Sequence, residues 1–340
     1  MLIRLSFHFL FALSLLGNAV HLSAEIRPAE GSVDYESLFA TSDCVITGTV
    51  IGTNARESTD ATALVHPDRI YKGPCDGNYV SVAYRGPADP TRAELYKGET
   101  LLMFLRRLNS KTFSQTRLGT SFVHDVSRLQ ASSGTGRDLL ISDLLAGLHD
   151  TEKARIITSL QVLNGFASLP ASALDSLKPF WDSPDSEQQL LAIAVAFSID
   201  PRAALTKVVD IAQSSPNTMT NGASGVFALA WRIEKIQDTK LAGHLSVLTR
   251  SSIPVAIRYA ALDAIRTTRD EKAVPTLIAL LDDNDLQIVS LSAAALADIV
   301  GLDRTEFYPG AAAFEQQPRK FVTAWKSWWT EQGQSRYSNH

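Results

Sequence analysis

The side chains best suited to chemistry are thinly spread along this chain. Its seven histidines stand at positions 8, 21, 66, 124, 149, 244 and 340, with no His-x-x-x-His spacing and no His-Glu pair. Two imidazoles four residues apart on a helix, with a glutamate beside them, are what a zinc or iron centre usually draws on. The sequence therefore supports no metal site and implies no cofactor. It also lacks a Gly-x-Ser-x-Gly nucleophile elbow and a phosphate-binding loop. Ser121 and His124 are close in sequence, but on the strand expected there their spacing turns them to opposite faces. The only cysteines are Cys44 and Cys75, with no Cys-x-x-Cys spacing to depress a thiol pKa. They are either a structural disulfide or two reduced thiols, and the compartment bears on the choice.

The first residues address the compartment. Arg4 precedes an apolar run, Leu5 to Leu16, and small residues follow as far as Ser23-Ala24. A positive start, a short apolar centre and a small-residue end are the layout of a secretory signal peptide over 1–24. The run is about 12 residues, where a membrane-spanning helix needs about 20. Export to a bacterial periplasm or out of the cell is expected, with no integral membrane segment after cleavage. In such a compartment Cys44 and Cys75 pair by default. Closing their loop of about 31 residues would contribute roughly 3–4 kcal/mol. The net charge of −4 becomes −5 once Arg4 is removed, which does not suit a nucleic-acid partner.

The elements that position everything else are helical. Four strings read alike: Ala194-Val-Ala-Phe-Ser-Ile199, Ala228-Leu-Ala-Trp-Arg-Ile233, Ala260-Ala-Leu-Asp-Ala-Ile265 and Ala294-Ala-Leu-Ala-Asp-Ile299. Their starts are 34, 32 and 34 residues apart, the period of a helical-hairpin array. Between them, 203–214, 240–250 and 273–282 each carry apolar residues at helical spacing, giving one stripe per helix. The array is expected over 137–301. Phe321, Trp325, Trp328 and Trp329 lie on one helix face within a capping segment, 302–340. Arg232, Arg258, Asp263 and Arg266 are the candidate binding residues.

Residues 33–130 have a different pattern. Val45–Ile51, Ala61–Ile70, Tyr79–Tyr84, Thr100–Leu105 and Thr120–Val123 read as strands, with Pro67 marking an edge or bulge and 100–105 apolar enough to be buried on both faces. Five strands in so short a stretch suggest a small barrel. The small polar segment 131–136 reads as a linker.

Ile257-Arg-Tyr-Ala-Ala-Leu-Asp-Ala-Ile265, Ala273-Val-Pro-Thr-Leu-Ile-Ala-Leu-Leu-Asp282 and Ala294–Ile299 together resemble HEAT repeats of the short bacterial variety, and the Trp-x-x-Trp-Trp ending resembles the tail that closes such stacks. Cys44–Val50, Ile70-Tyr-Lys-Gly73 and Lys97–Leu105 resemble the netrin-like, OB-type barrel of secreted proteins. The expected fold class is thus α+β multidomain: a small N-terminal OB/netrin-like β-barrel, then an α-solenoid of HEAT-like hairpins. Some netrin-like proteins inhibit metalloproteases through an N-terminal cysteine. That mechanism does not transfer to a mature chain starting at Glu25 or Val20. HEAT-like arrays bind proteins or act as scaffolds, and a few are enzymes. The expected function is accordingly a non-catalytic exported scaffold that binds a protein partner through the array. One alternative is an inhibitor or polysaccharide-binding factor using barrel loops 54–62 and 86–92. Another is an enzyme with carboxylates at the domain interface.

Overall fold

A computed structural model describes residues 33–54, 60–75, 77–85, 95–110, 112–117, 120–131, 134, 136–221 and 223–337. The expected signal peptide lies outside the described residues, as do most of the barrel loops 54–62 and 86–92. The strands are β1(Cys44–Asn54), β2(Asp60–Lys72), β3(Val80–Arg85), β4(Thr100–Arg107), β5(Thr112–Gln115) and β6(Phe122–Val123). Their order is β1-β2-β3-β5-β4-β6, and β1 also pairs with β4, so the first five strands close into a barrel. Among the described strands only β3 and β5 run parallel. Ile46, Val50, Val65, Val82, Leu101, Met103 and Leu105 fill the interior.

The closing strand corrects the sequence reading. Thr120–Val123 was the expected fifth strand, yet only Phe122–Val123 is extended, alongside β4 and outside the closure. The fifth barrel strand is β5, four residues with a single buried apolar side chain, Phe113, which is too short to show an alternating pattern. Pro67 sits opposite Gly48 beside a register shift, past the last residue that pairs with β3, so its missing N–H leaves no gap in that ladder.

Cys44 and Cys75 form a disulfide with Cα atoms 6.2 Å apart, joining the start of β1 to the turn after β2. That turn has a second constraint. Gly73 has φ +81°, and a Cβ there would lie 1.8 Å from the Asp43 carbonyl oxygen. A side chain is therefore excluded both by backbone conformation and by space.

Helix α1(Tyr35–Thr41) precedes the barrel. After it come α2(Gly136–Ala146), α3(Lys153–Asn164), α4(Ala173–Leu177), α5(Ser186–Ala196), α6(Pro201–Ser214), α7(Asn217–Asn221), α8(Ala223–Glu234), α9(Ala242–Leu245), α10(Val255–Thr268), α11(Val274–Ala279), α12(Leu286–Val300), α13(Arg304–Phe307), α14(Ala311–Gln316), α15(Pro318–Trp328) and α16(Gln334–Tyr337). Asp185, Asp200 and Asp285 cap α5, α6 and α12, each accepting from a backbone N–H of the first turn at 2.9–3.1 Å. Helices α3, α5, α8, α10 and α12 stack on one another in sequence order, and α4, α6, α9 and α11 lie against them. The repeated Ala-rich strings fall in or run on from α5, α8, α10 and α12, where small residues let the backbones approach. At Gly225 of α8 a Cβ would come within 2.6 Å of Leu190 Cβ on α5.

Barrel and array share one core. Along β4, Leu101, Met103 and Leu105 face the barrel interior, while Leu102 and Phe104 join Leu38, Leu139, Leu140 and Leu144 in the cluster that continues into the array. A buried carboxylate fixes this contact. Asp143 of α2 accepts from Arg69 Nε at 2.9 Å, Tyr71 Oη at 3.0 Å and the Ala131 backbone N–H at 2.6 Å. A second pairing is bidentate: Arg137 donates to both oxygens of Glu36 at 2.7 Å. At the far end, Phe314, Phe321, Trp325 and Trp328 bury against the last repeat, and Trp325 Nε1 donates to the Phe307 carbonyl at 3.1 Å.

Gly73→Ala is expected to lower the unfolding free energy of the oxidised protein by about 2 kcal/mol or more. Urea denaturation measures this, and an unchanged midpoint would show that the turn can move away from Asp43.

Candidate functional site: the C-terminal edge of the stacked helices

Because the first helix of every hairpin runs in the same sense, the helix C-termini line one edge of the stack. Each leaves carbonyl oxygens without intrahelical donors and a partial negative charge there. Cations gather on this edge: Arg232 and Lys235 at the end of α8, Arg266 and Arg269 at the end of α10, and Arg304 just beyond α12.

The four residues singled out from sequence have different surroundings. Arg232, a candidate binding residue from sequence, is buried, at 9% exposure. Its Nε donates to Asn164 Oδ1 at 3.0 Å, and a terminal nitrogen donates to the carbonyls of Asn164 and Phe166. It thus covers the C-terminus of α3 from two hairpins away, and its guanidinium lies 4.6 Å from the centre of the Trp231 ring. Burial lowers its pKa to about 10. Arg258 is buried too, donating to the Thr249 carbonyl at 2.9 Å and pairing with Asp283. Burial pulls the Asp283 carboxyl upward, but the Arg258 hydrogen bond, backbone donors and the Arg258 charge together hold it below the usual carboxylate range. This arrangement ties α10 to the turn before α12.

Asp263 and Arg266 do line an open groove, about 480 Å³, with Glu234, Thr267, Arg269 and Asp298. Arg266 Nε donates to Asp298, which also pairs with Arg304. Asp263 is half-buried and has neither a hydrogen bond nor an ion pair among the described residues. Burial and then the charge of Glu234 raise its pKa, with Arg266 opposing. A second, smaller cavity adjoins at Arg232 and Lys235. Glu234 lines one depression and Lys235 the other, so the two are neighbours at the C-terminal end of α8.

Residues 257–283 match the PBS lyase HEAT-like repeat family model. The match covers one hairpin, from α10 to the turn after α11, and includes Arg258, Asp263, Arg266 and Asp283. No curated protein matches the chain. Among solved structures, the chain is similar to the crystal structure of an engineered protein, at 20% identity and a TM-score of 0.30. That likeness covers 47% of this chain and 47% of that one, and it carries no argument about function.

Elsewhere the catalytic types are engaged singly. Ser121 Oγ donates to the Arg117 carbonyl at 2.7 Å, whereas His124 Nδ1 meets Glu99 Oε1 at 2.6 Å, so the two make no dyad. The carboxylates between barrel and array, Asp143 and Glu36, are each bound by an arginine. No group of three or more His, Cys, Asp or Glu among the described residues is placed to hold a metal ion. The sequence reading missed Glu234, Lys235, Arg269 and Asp298. The available signal was register: Glu234 and Arg266 hold the same place after the Ala-rich string, at the end of their helices.

Removing one partner of the Arg258–Asp283 pair leaves a buried charge, so Arg258→Met is expected to cost about 3 kcal/mol in denaturant unfolding. Asp263 should behave in the opposite way. Its folded pKa is raised, so its contribution to stability is present below the unfolded carboxylate value of about 3.9 and is lost as pH rises through the folded value. Asp263→Asn is therefore expected to melt above the wild type at pH 7 and level with it below pH 4. Equal melting shifts at both pH values would exclude this account.

Proposed function

We propose that the protein is an exported, non-catalytic scaffold that binds another protein along the C-terminal edge of its stacked helices. The observation that carries this reading is the pair of neighbouring depressions at the ends of α8 and α10, where the side chains of Glu234, Lys235, Asp263 and Arg269 make no hydrogen bond or ion pair among the described residues. Charged side chains left without ion pairs, on an extended and rigid surface, suit recognition of a partner with complementary charges. The HEAT-like match over 257–283 supports it, since such repeats often serve as protein-interaction modules. Export is part of the proposal. The disulfide is compatible with an oxidising compartment, and among the described residues no helix is long and apolar enough to cross a membrane.

A second reading places binding on the barrel. A shallow depression lined by Gly52, Asn54, Thr62, Leu64 and Ser81 adjoins the loop that the sequence nominates, and Leu64 is exposed there. It would suit an inhibitor or a polysaccharide-binding factor.

Affinity capture from cell-envelope extract separates the two. The full chain is compared with a Glu234→Lys, Arg269→Glu double variant and with Leu64→Lys, all checked for unchanged melting. A protein retained by the wild type and by Leu64→Lys, but lost with the double variant, is the expected result. Loss with Leu64→Lys alone transfers the function to the barrel.

A further inference from the structure

Taking the helix edge as the partner-binding surface, we infer that its smaller cavity captures the carboxylate of a polypeptide C-terminus whose last side chain is apolar. The cavity lies between the α5–α6 turn and the segment after α8 and measures about 190 Å³. Phe197, Pro201, Ile236 and Leu241 supply apolar wall, and Arg232 and Lys235 supply the charge. Ligand pockets for drug-sized molecules start near 300 Å³, so this space suits one side chain and its terminal group.

The electrostatics select an anion. Buried charges in proteins are ordinarily matched by an opposite charge. Arg232 is buried, yet among the described residues it pairs with no carboxylate, and the oxygens it binds belong to an amide side chain and two backbone carbonyls. Those carbonyls carry only part of a charge. Lys235 adds a second cation, exposed and placed with its Nζ 3.6 Å from the centre of the Trp231 ring. Burial and then Arg232 lower the Lys235 pKa, with Asp34 and Glu234 acting against them through space. Asp238 is exposed at the rim, with its carboxylate accepting from the Lys240 backbone N–H at 2.9 Å.

The walls narrow the class of anion. An inorganic anion would make no contact that uses the apolar wall of Phe197, Pro201, Ile236 and Leu241. An internal acidic residue carries its charge on the side chain and brings no apolar group with it. A chain end with an apolar last residue supplies both at adjacent atoms, in one of the recurring modes of peptide recognition.

The test uses the full-length oxidised protein, titrated with N-acetyl-leucine, N-acetyl-leucinamide and inorganic phosphate, and followed by calorimetry and by intrinsic tryptophan fluorescence. N-acetyl-leucine is expected to saturate. The amide, which lacks the charge, and phosphate, which lacks the apolar part, are each expected to bind about tenfold more weakly or less. Lys235→Gln is expected to weaken N-acetyl-leucine by about two- to fivefold with unchanged melting. Equal binding of the amide overturns the role of the cations, and equal binding of phosphate overturns the peptide assignment. No saturation by N-acetyl-leucine overturns the inference as a whole. Should the edge-dependent partner still be captured in that case, only this inference falls; loss of both results removes the edge reading as well.

Discussion

A helical hairpin of two short helices has an apolar stripe wider than it can cover, and that single constraint orders the molecule. The stripes of α5, α8, α10 and α12 are satisfied only by one another, so the helices stack in parallel. Alanines and Gly225 at the contacts let backbones approach, while Leu190, Leu229, Leu262 and Leu296 fill the gaps between layers. Parallel stacking has an electrical by-product. It aligns the helix C-termini, concentrating unpaired carbonyls on one side of the molecule and making that side the favourable place for arginines and lysines. The polar tract read here as a binding edge is thus a consequence of how the core is built.

The stack must also end. At one end the aromatic tail covers α12, with Trp325 against Phe307 at 4.7 Å between ring centres and edge-on to Trp328 at 5.5 Å. At the other end the barrel itself provides the cover. Arg69, Tyr71 and Ala131 converge on Asp143, and Thr47 meets Tyr71 Oη at 3.0 Å, so the polar groups trapped by that contact have partners.

Much of this was legible in the residues. The repeat period located the stacked helices because burying one face at a fixed interval imposes that period on the sequence. Thr100–Leu105 was readable as a strand buried on both sides because none of its six residues is charged. Other parts left no mark. Strand β5 is too short to alternate and is held by its neighbours. The second helix expected at 240–250 is broken into 3-10 turns around α9, a difference of backbone hydrogen bonding that side-chain spacing does not record. Arg232 looked like a surface residue because arginines usually are. Its burial depends on where Asn164 and Phe166 end up, far away in sequence and close in space. The candidate site was half visible for the same reason: Asp263 and Asp298 sit within the repeated strings and Arg266 directly after one, whereas Glu234, Lys235 and Arg269 acquire their meaning from the alignment of helix ends.

The double-sided burial of β4 has one more implication, for how such a chain could have been assembled in evolution. A barrel whose outer wall carries Leu102 and Phe104 in the same core as the repeats is no longer a portable module. Were it shuffled into another protein, it would bring an oily flank that needs a helix laid across it. Its ancestry and that of the first helices after it should therefore be traced as a single unit of inheritance.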